Sequence, residues 1–188
     1  MNADFIQDLT ATVARIEQTA REEFGALDVD QLNWSPGEDR WSVGHCLDHL
    51  MKANAPYFPI FENVENGTKQ TTMWERLPLL PRLWGSFLLK SVSPDNKRKI
   101  PAPKVFMPSS EPVPPNTVES FCTQQNELSA QINSLKDLKI ENIIITSPAL
   151  KFVTYTLRNA LEIIVTHEQR HLNQAKNVLA EMNQTIPK

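Results

Sequence analysis

Histidine is the residue whose placement in this chain first points to chemistry. The chain has four histidines, and they form two pairs with a spacing of four residues: His45 with His49, and His167 with His171. Residues four apart lie one turn apart on the same face of an α-helix, so two imidazoles with this spacing can reach one ion. Neutral imidazole binds zinc, nickel, copper and iron well, and of these we expect zinc or nickel.

The second pair is the stronger candidate for metal ligation. His167 and His171 continue an apolar stripe between Ile164 and Ala175, so a helix over these residues would turn both histidines inward. Inward imidazoles one turn apart are difficult to satisfy without a metal, and helical bundles hold metals with side chains from facing helices. Three protein ligands and one open position are typical of a catalytic metal site.

The first pair supplies the third ligand. Ser42 is a good N-cap, which makes His45 the third residue of the helix, where a capping box has Glu or Gln. We therefore predict that His45 caps the helix or supports a ligand, and we keep it as the reserve ligand. His49 lies one turn deeper, beside Leu50, and we choose it as the third ligand.

Glu168 is a weaker candidate, for the role of general base. Residues 167–171 satisfy the H-E-x-x-H pattern of zinc peptidases, which is short and weak by itself. The extended pattern needs Gly and His where this chain has Gln174 and Asn177, so we set the peptidase interpretation aside. Glu168 points about 100° away from His167 around the helix, and we expect its side chain to be exposed.

Four segments with helical periodicity must position these residues. Apolar side chains recur in them at three- and four-residue spacing. The segments cover about 4–24, 42–65, 117–136 and 156–182. Pro56 and Pro59 should kink or end the second helix, and Asn116 with Glu119 predicts a capping box at the start of the third. The sequence predicts an all-α fold, a four-helix bundle.

A long crossover, residues 66–115, joins the second and third helices and holds nine of the 14 prolines. A structureless loop of that length is uncommon in a compact domain. We expect a short helix beginning after Pro81 and an extended path from Ile100 to Pro115. The short helix has an apolar side that must fold back onto the bundle or be covered by a second copy in a homodimer. That side consists of Leu83, Trp84, Phe87, Leu88 and Val92.

Composition narrows the class of protein. A chain of 188 residues with 40% hydrophobic positions predicts a single domain, residues 1–188. A net charge of −3 argues against a dedicated nucleic-acid binder, and no apolar run is long enough to cross a membrane. The first residues do not resemble a signal peptide, and Cys46 and Cys122 are too few for a disulfide scaffold, so we expect a cytoplasmic protein.

The apolar, β-branched residues 140–155 suggest a short extended piece before the last helix.

Four stretches of the chain together resemble the DinB-like (YfiT-like) superfamily of metal-dependent four-helix bundles. They are Leu32–Pro36, Arg40–Leu50, Ala102–Phe106 with Pro108, and His167–Gln174. They follow one another at fitting intervals, so the resemblance spans nearly the whole chain. It is specific for the superfamily and says nothing of the substrate.

The resemblance implies a ligand set and a range of chemistry. In that family one histidine of the second helix and an H-x-x-x-H pair of the last helix bind a divalent metal, which by position are His49, His167 and His171. The family commonly has Gln where this chain has His45, and the difference leaves a fourth ligand open. Characterised relatives include metal-dependent thiol S-transferases and isomerases that use low-molecular-weight thiols, which makes such a thiol a candidate cofactor. The family name refers to damage-inducible expression and implies no chemistry on DNA.

Two functions remain in competition. The first is an enzyme that activates a water or a low-molecular-weight thiol at the metal, for transfer or hydrolysis of a small-molecule substrate, as a thiol S-transferase or a hydrolase would. Three neutral imidazoles leave the charge of the ion in place, which lowers the pKa of such a nucleophile. The second is a non-catalytic metal-binding or stress-related interaction module, because the sequence offers no convincing acid–base partner beside the histidines.

Overall fold

The computed structural model of the chain describes residues 2–76, 80–93 and 103–185. The protein is mostly helical and has a small two-stranded sheet. The α-helices are α1 (Asn2–Phe24), α2 (Val29–Asn33), α3 (Val43–Asn54), α4 (Phe58–Glu65), α5 (Leu80–Val92), α6 (Thr117–Ser134) and α7 (Leu157–Thr185). The strands are β1 (Ile144–Thr146) and β2 (Thr154–Thr156), and 3₁₀ turns cover Ala55–Tyr57, Trp74–Arg76 and Lys104–Phe106. None of the described helices is both long and apolar enough to span a membrane.

The core lies among α1, α3, α6 and α7. Helix α1 packs against α6 and α7, and α3 packs against the same two helices. Fully buried side chains of three of these helices include Leu47, Leu50, Phe121, Leu128 and Leu161. Burying one side chain of this size contributes about 1.5–3 kcal/mol, so these contacts fix how α3 and α7 face each other.

The second predicted helix is interrupted where the prolines lie. Helix α3 ends at Asn54, a 3₁₀ turn contains Pro56, and α4 begins at Phe58 with Pro59 in its first turn. Proline lacks an amide hydrogen, so the first turn of a new helix is where it costs least. At the other end of α3 the Ser42 hydroxyl accepts a hydrogen bond from the His45 backbone N–H at 3.0 Å, as an N-cap should.

The capping box predicted for the third helix is absent. The Asn116 side chain makes no capping hydrogen bond and instead donates to the Ser120 hydroxyl at 3.4 Å. Glu119 pairs with Arg21 of α1 at 3.1 Å, so the carboxylate that would have completed the box is used between helices. The Asn116 backbone, at φ −86° and ψ 12°, lacks the extended conformation that an N-cap residue normally has.

The crossover contains the expected short helix, α5, which packs against α7 and β2. Trp84 and Leu88 are half-buried against the core, whereas Phe87 is 61% exposed and does not belong to the buried side. The Leu83 side chain and residues 100–102 of the predicted extended path lie outside the described residues. Beyond them, residues 103–115 cross the surface of α3, and we call this segment the strap.

The apolar residues before α7 form more than one extended piece. Strands β1 and β2 pair in antiparallel fashion, with Ile145 opposite Tyr155. Both of these side chains are buried and belong to the hydrophobic core, so the hairpin extends that core. The two-stranded sheet is the departure from the predicted all-α class.

Candidate metal centre

Three of the four histidines meet between α3 and α7. One ring nitrogen from each of His49, His167 and His171 lies within 4.8 Å of those of the other two. The ring centroids are 4.6–5.0 Å apart. His49 is buried, and the two histidines of α7 are half-buried. The antiparallel packing of α3 on α7 therefore brings together residues that the sequence separates widely.

The spacing of the ring nitrogens suits a tetrahedral metal. The His49 Nε2 and His167 Nε2 atoms are 3.2 Å apart. Two nitrogens that bind one zinc ion tetrahedrally, with bonds of about 2.0–2.1 Å, lie about 3.3 Å from each other. His49 and His167 therefore already have the spacing that ligation of one ion requires.

The outer nitrogens of two of the rings have fixed partners. His49 Nδ1 lies 2.6 Å from the Phe106 carbonyl oxygen, and His171 Nδ1 lies 2.9 Å from Gln174 Oε1. Both oxygens can only accept, so each Nδ1 carries the hydrogen and each Nε2 keeps its lone pair. Ligating histidines are oriented in this way by a carbonyl or carboxylate on the second nitrogen.

Burial keeps the three rings neutral. It is the main cause that lowers the pKa of His49, of His167 and of His171, in the last case to about 3. The neighbouring histidines lower the pKa of both α7 residues further, because a second positive charge in the cluster would be repelled. Neutral imidazole is the form that binds metal, so no proton has to be displaced near pH 7.

The Trp41 indole forms one wall of the cluster. Its ring centroid lies 4.7 Å from that of His49 and 5.4 Å from that of His171, and on His171 the planes are stacked, 28° apart. The histidine spacing gave no indication of this contact. The position of Trp41 directly before the N-cap Ser42 could have indicated the contact, because a residue there can fold back over the first turns of the helix.

The reserve ligand, His45, is outside the cluster. Its backbone N–H serves the N-cap, and within the described part of the chain its Nε2 is buried without a hydrogen-bond partner. The structure brings His49 to the α7 pair and leaves His45 out of the group.

Glu168 is fully buried, contrary to the expectation of an exposed side chain. Its Oε1 accepts hydrogen bonds from Asn54 Nδ2 at 2.7 Å and from Gln125 Nε2 at 2.6 Å. Burial raises the pKa of this carboxyl to about 7, although the two amide donors oppose the change. The physical reason for the wrong expectation is that α7 packs on three sides, so a position 100° from His167 still faces the core.

Comparison with known proteins covers most of the chain. A sequence model described as the DinB superfamily matches residues 12–175, a range that includes the three clustered histidines. The "Uncharacterized protein YuaE" of Bacillus subtilis (strain 168) is 27% identical over 157 residues, which cover 83% of this chain and 88% of that protein. No solved structure matches the chain significantly.

Proposed function

The chain belongs to the DinB superfamily, and on that premise we propose that His49, His167 and His171 bind one divalent metal ion, zinc or nickel. The observation that supports the proposal is the convergence of three neutral imidazoles, one nitrogen of each within 4.8 Å of the other two, with the His49 and His167 Nε2 atoms 3.2 Å apart, as in a tetrahedral site. Three protein ligands leave one coordination position for a substrate or a nucleophile.

The proposed activity is the transfer or hydrolysis of a small molecule by an activated water or low-molecular-weight thiol. A divalent ion held by neutral ligands supplies Lewis acidity, which lowers the pKa of such a nucleophile. The protein contributes orientation: the Phe106 carbonyl and Gln174 Oε1 direct the ligand nitrogens of His49 and His171 inward. Trp41 covers one side of the cluster with an apolar surface.

Metal analysis tests the site directly. We expect about one equivalent of zinc or nickel in untagged protein purified without chelator. The His167→Ala/His171→Ala variant should contain none, and His45→Ala is the matched control, which should retain the metal. Equal metal content in the double variant, or none in the wild-type protein after addition of zinc and nickel, would refute the proposal.

A screen of electrophiles with and without low-molecular-weight thiols tests the activity. Turnover should depend on the metal and disappear in the His167→Ala/His171→Ala variant. Full activity of that variant would assign the chemistry to other residues.

The second candidate is a non-catalytic metal-binding or stress-related interaction module. The observation in its favour is that Glu168, the carboxylate nearest in sequence to the proposed ligands, accepts its hydrogen bonds from Asn54 and Gln125 inside the core. A protein that binds one equivalent of metal and shows no turnover across the screen would support this candidate.

Further proposals concern architecture, association and location. The packing of α1 and α3 against α6 and α7 supports a four-helix bundle with a decorated crossover. The exposed Phe87 supports a homodimer, and sedimentation at several concentrations tests it, since a monomer throughout would refute it. A small-molecule substrate and a cytoplasmic location follow from the sequence argument.

A further inference from the structure

The strap is fastened to the region of α2 and α3 at three successive points. The Asn33 side chain accepts from the Val113 N–H at 2.7 Å and donates to the Val113 carbonyl oxygen at 3.0 Å. Asp48 Oδ2 accepts from the Ser109 N–H at 2.8 Å. The third point is the Phe106 carbonyl oxygen on His49 Nδ1. In all three attachments the strap contributes a backbone group. The side chains of Asn33 and Asp48 hold the first two, and the third attachment reaches His49, a proposed metal ligand.

The strap lies close to α3 because its anchors are buried. Phe106 and Val113 are 9% and 3% exposed. Val113 packs over Gly44, where a Cβ atom would overlap Val113 Cγ2 and lie 2.9 Å from the Leu32 carbonyl oxygen. The absence of a side chain at Gly44 therefore permits this approach, and Asn33 fixes the register at which Val113 sits on it.

We propose that Asn33 is a positioning residue of the metal centre, which holds the strap so that the Phe106 carbonyl stays on His49 Nδ1. The inference rests on the proposed metal site. Asn33 acts at a distance, since its own hydrogen bonds go to Val29 and Val113. Asn33 belongs to Leu32–Pro36, one of the stretches by which this chain resembles its family. The strap connects this stretch with two others, Arg40–Leu50 and Ala102–Phe106.

The effect on metal binding follows from the role of the Phe106 carbonyl. Removal of a direct hydrogen-bond partner of a ligating histidine typically costs about 10- to 100-fold in metal affinity. Asn33 supports that partner indirectly, and Asp48 still holds the strap at Ser109. We therefore expect the zinc dissociation constant of Asn33→Ala to rise by about 3- to 10-fold, below the range for a direct contact.

A matched variant separates this role from general stability. Asn63 on α4 also donates to a backbone carbonyl, that of Pro59 at 2.7 Å, and also accepts from a loop residue, Thr68, at 3.0 Å. Within the described residues no hydrogen bond joins that loop to the histidines, so Asn63→Ala should leave the zinc affinity unchanged. Affinities are measured by competition with a chromogenic chelator on folded protein, because a purely structural role would lower the unfolding free energy without changing the affinity.

Hydrogen exchange on the wild-type protein tests the same coupling without any substitution. Coupling between two sites is reciprocal, so zinc must strengthen the strap by the factor that the strap contributes to zinc binding. We expect zinc to slow exchange of the Val113 and Ser109 amide hydrogens by about 3- to 10-fold. The amide hydrogens of Thr68 and Lys69, which donate to the Asn63 carbonyl oxygen, are the internal controls.

The outcomes distinguish this inference from the proposed function. Absence of zinc binding by the wild-type protein refutes both. Zinc binding with equal affinity in wild-type protein and Asn33→Ala, or with unchanged exchange at Val113 and Ser109, overturns the positioning role alone. If Asn33→Ala does not fold, the exchange measurement decides.

Discussion

Replacing Glu168 with glutamine should remove a pH dependence from the stability of the protein. The carboxyl is fully buried, and its pKa is raised from the ordinary value of 4.5 to about 7. Glutamine has the same shape and keeps the oxygen that accepts from Asn54 and Gln125. The substitution therefore changes ionisation more than packing.

The sign and size of the expected change in the free energy of unfolding follow from proton linkage. Between pH 4.5 and 7 the native protein keeps a proton on Glu168 that the unfolded chain has lost, so the free energy of unfolding falls as the pH rises. The stabilisation is fully present below pH 4.5 and is lost as the pH passes through about 7. From pH 5 to 8 the wild-type protein should lose about 2.5 kcal/mol relative to Glu168→Gln, at about 1.4 kcal/mol per pH unit within the window.

Urea denaturation of both proteins at several pH values, with chelator present, measures this difference. Contributions of the histidines are common to both proteins and cancel. Glu127 is exposed on α6, and Glu127→Gln serves as the control, with an expected change within about 0.5 kcal/mol at every pH. A difference between wild-type and Glu168→Gln that stays constant from pH 5 to 8 would refute the reasoning, because the carboxyl would then ionise as it does in water.

Four further substitutions, the last two combined in one double-mutant cycle, test the site and its supports. Gln174→Ala removes the acceptor of the His171 Nδ1 hydrogen and should weaken zinc binding by about 10- to 100-fold in a chelator competition, whereas unchanged affinity would show that this contact does not orient the ring. Ser42→Ala removes the N-cap of α3 and should lower the unfolding free energy by about 1 kcal/mol in urea, and no loss would contradict the capping role. Gly44→Ala should lower the free energy of unfolding by about 1–3 kcal/mol, because the added Cβ atom would overlap Val113. In a double-mutant cycle Val113→Ala should recover part of that loss. If the effects of the two substitutions were fully additive, the strain would lie elsewhere.

The histidine spacing made the core of the candidate site predictable. A four-residue spacing fixes a helix face without knowledge of the fold, and the apolar stripe around His167 and His171 shows which face turns inward. The choice between His45 and His49 depended on the capping of α3, which is also local. Both arguments use only neighbouring residues.

The parts that sequence could not supply depend on tertiary contacts. The partner of His49 Nδ1 is a backbone carbonyl, which every residue has, so nothing in the identity of Phe106 marks it. Glu168 was misjudged because helical periodicity separates inward from outward positions only when one face is covered, and α7 is covered on several. The capping box of α6 failed because the Asn116 backbone is not extended and because Glu119 pairs with Arg21, 98 residues away in sequence.

The separation of the proposed ligands along the chain would tie metal capture to assembly of the fold. His49 and His167 are 118 residues apart, whereas His167 and His171 are neighbours on one helix. Closing a loop of 118 residues instead of four costs the unfolded chain about 3 kcal/mol more in entropy, so a nascent polypeptide offers only the two-histidine half of the site. The complete trio forms when α3 docks on α7. At a free zinc concentration of about 100 Kd, binding at the proposed site would favour the fully folded protein over incompletely folded forms by about 2.7 kcal/mol, so the ion would stabilise the last step of assembly.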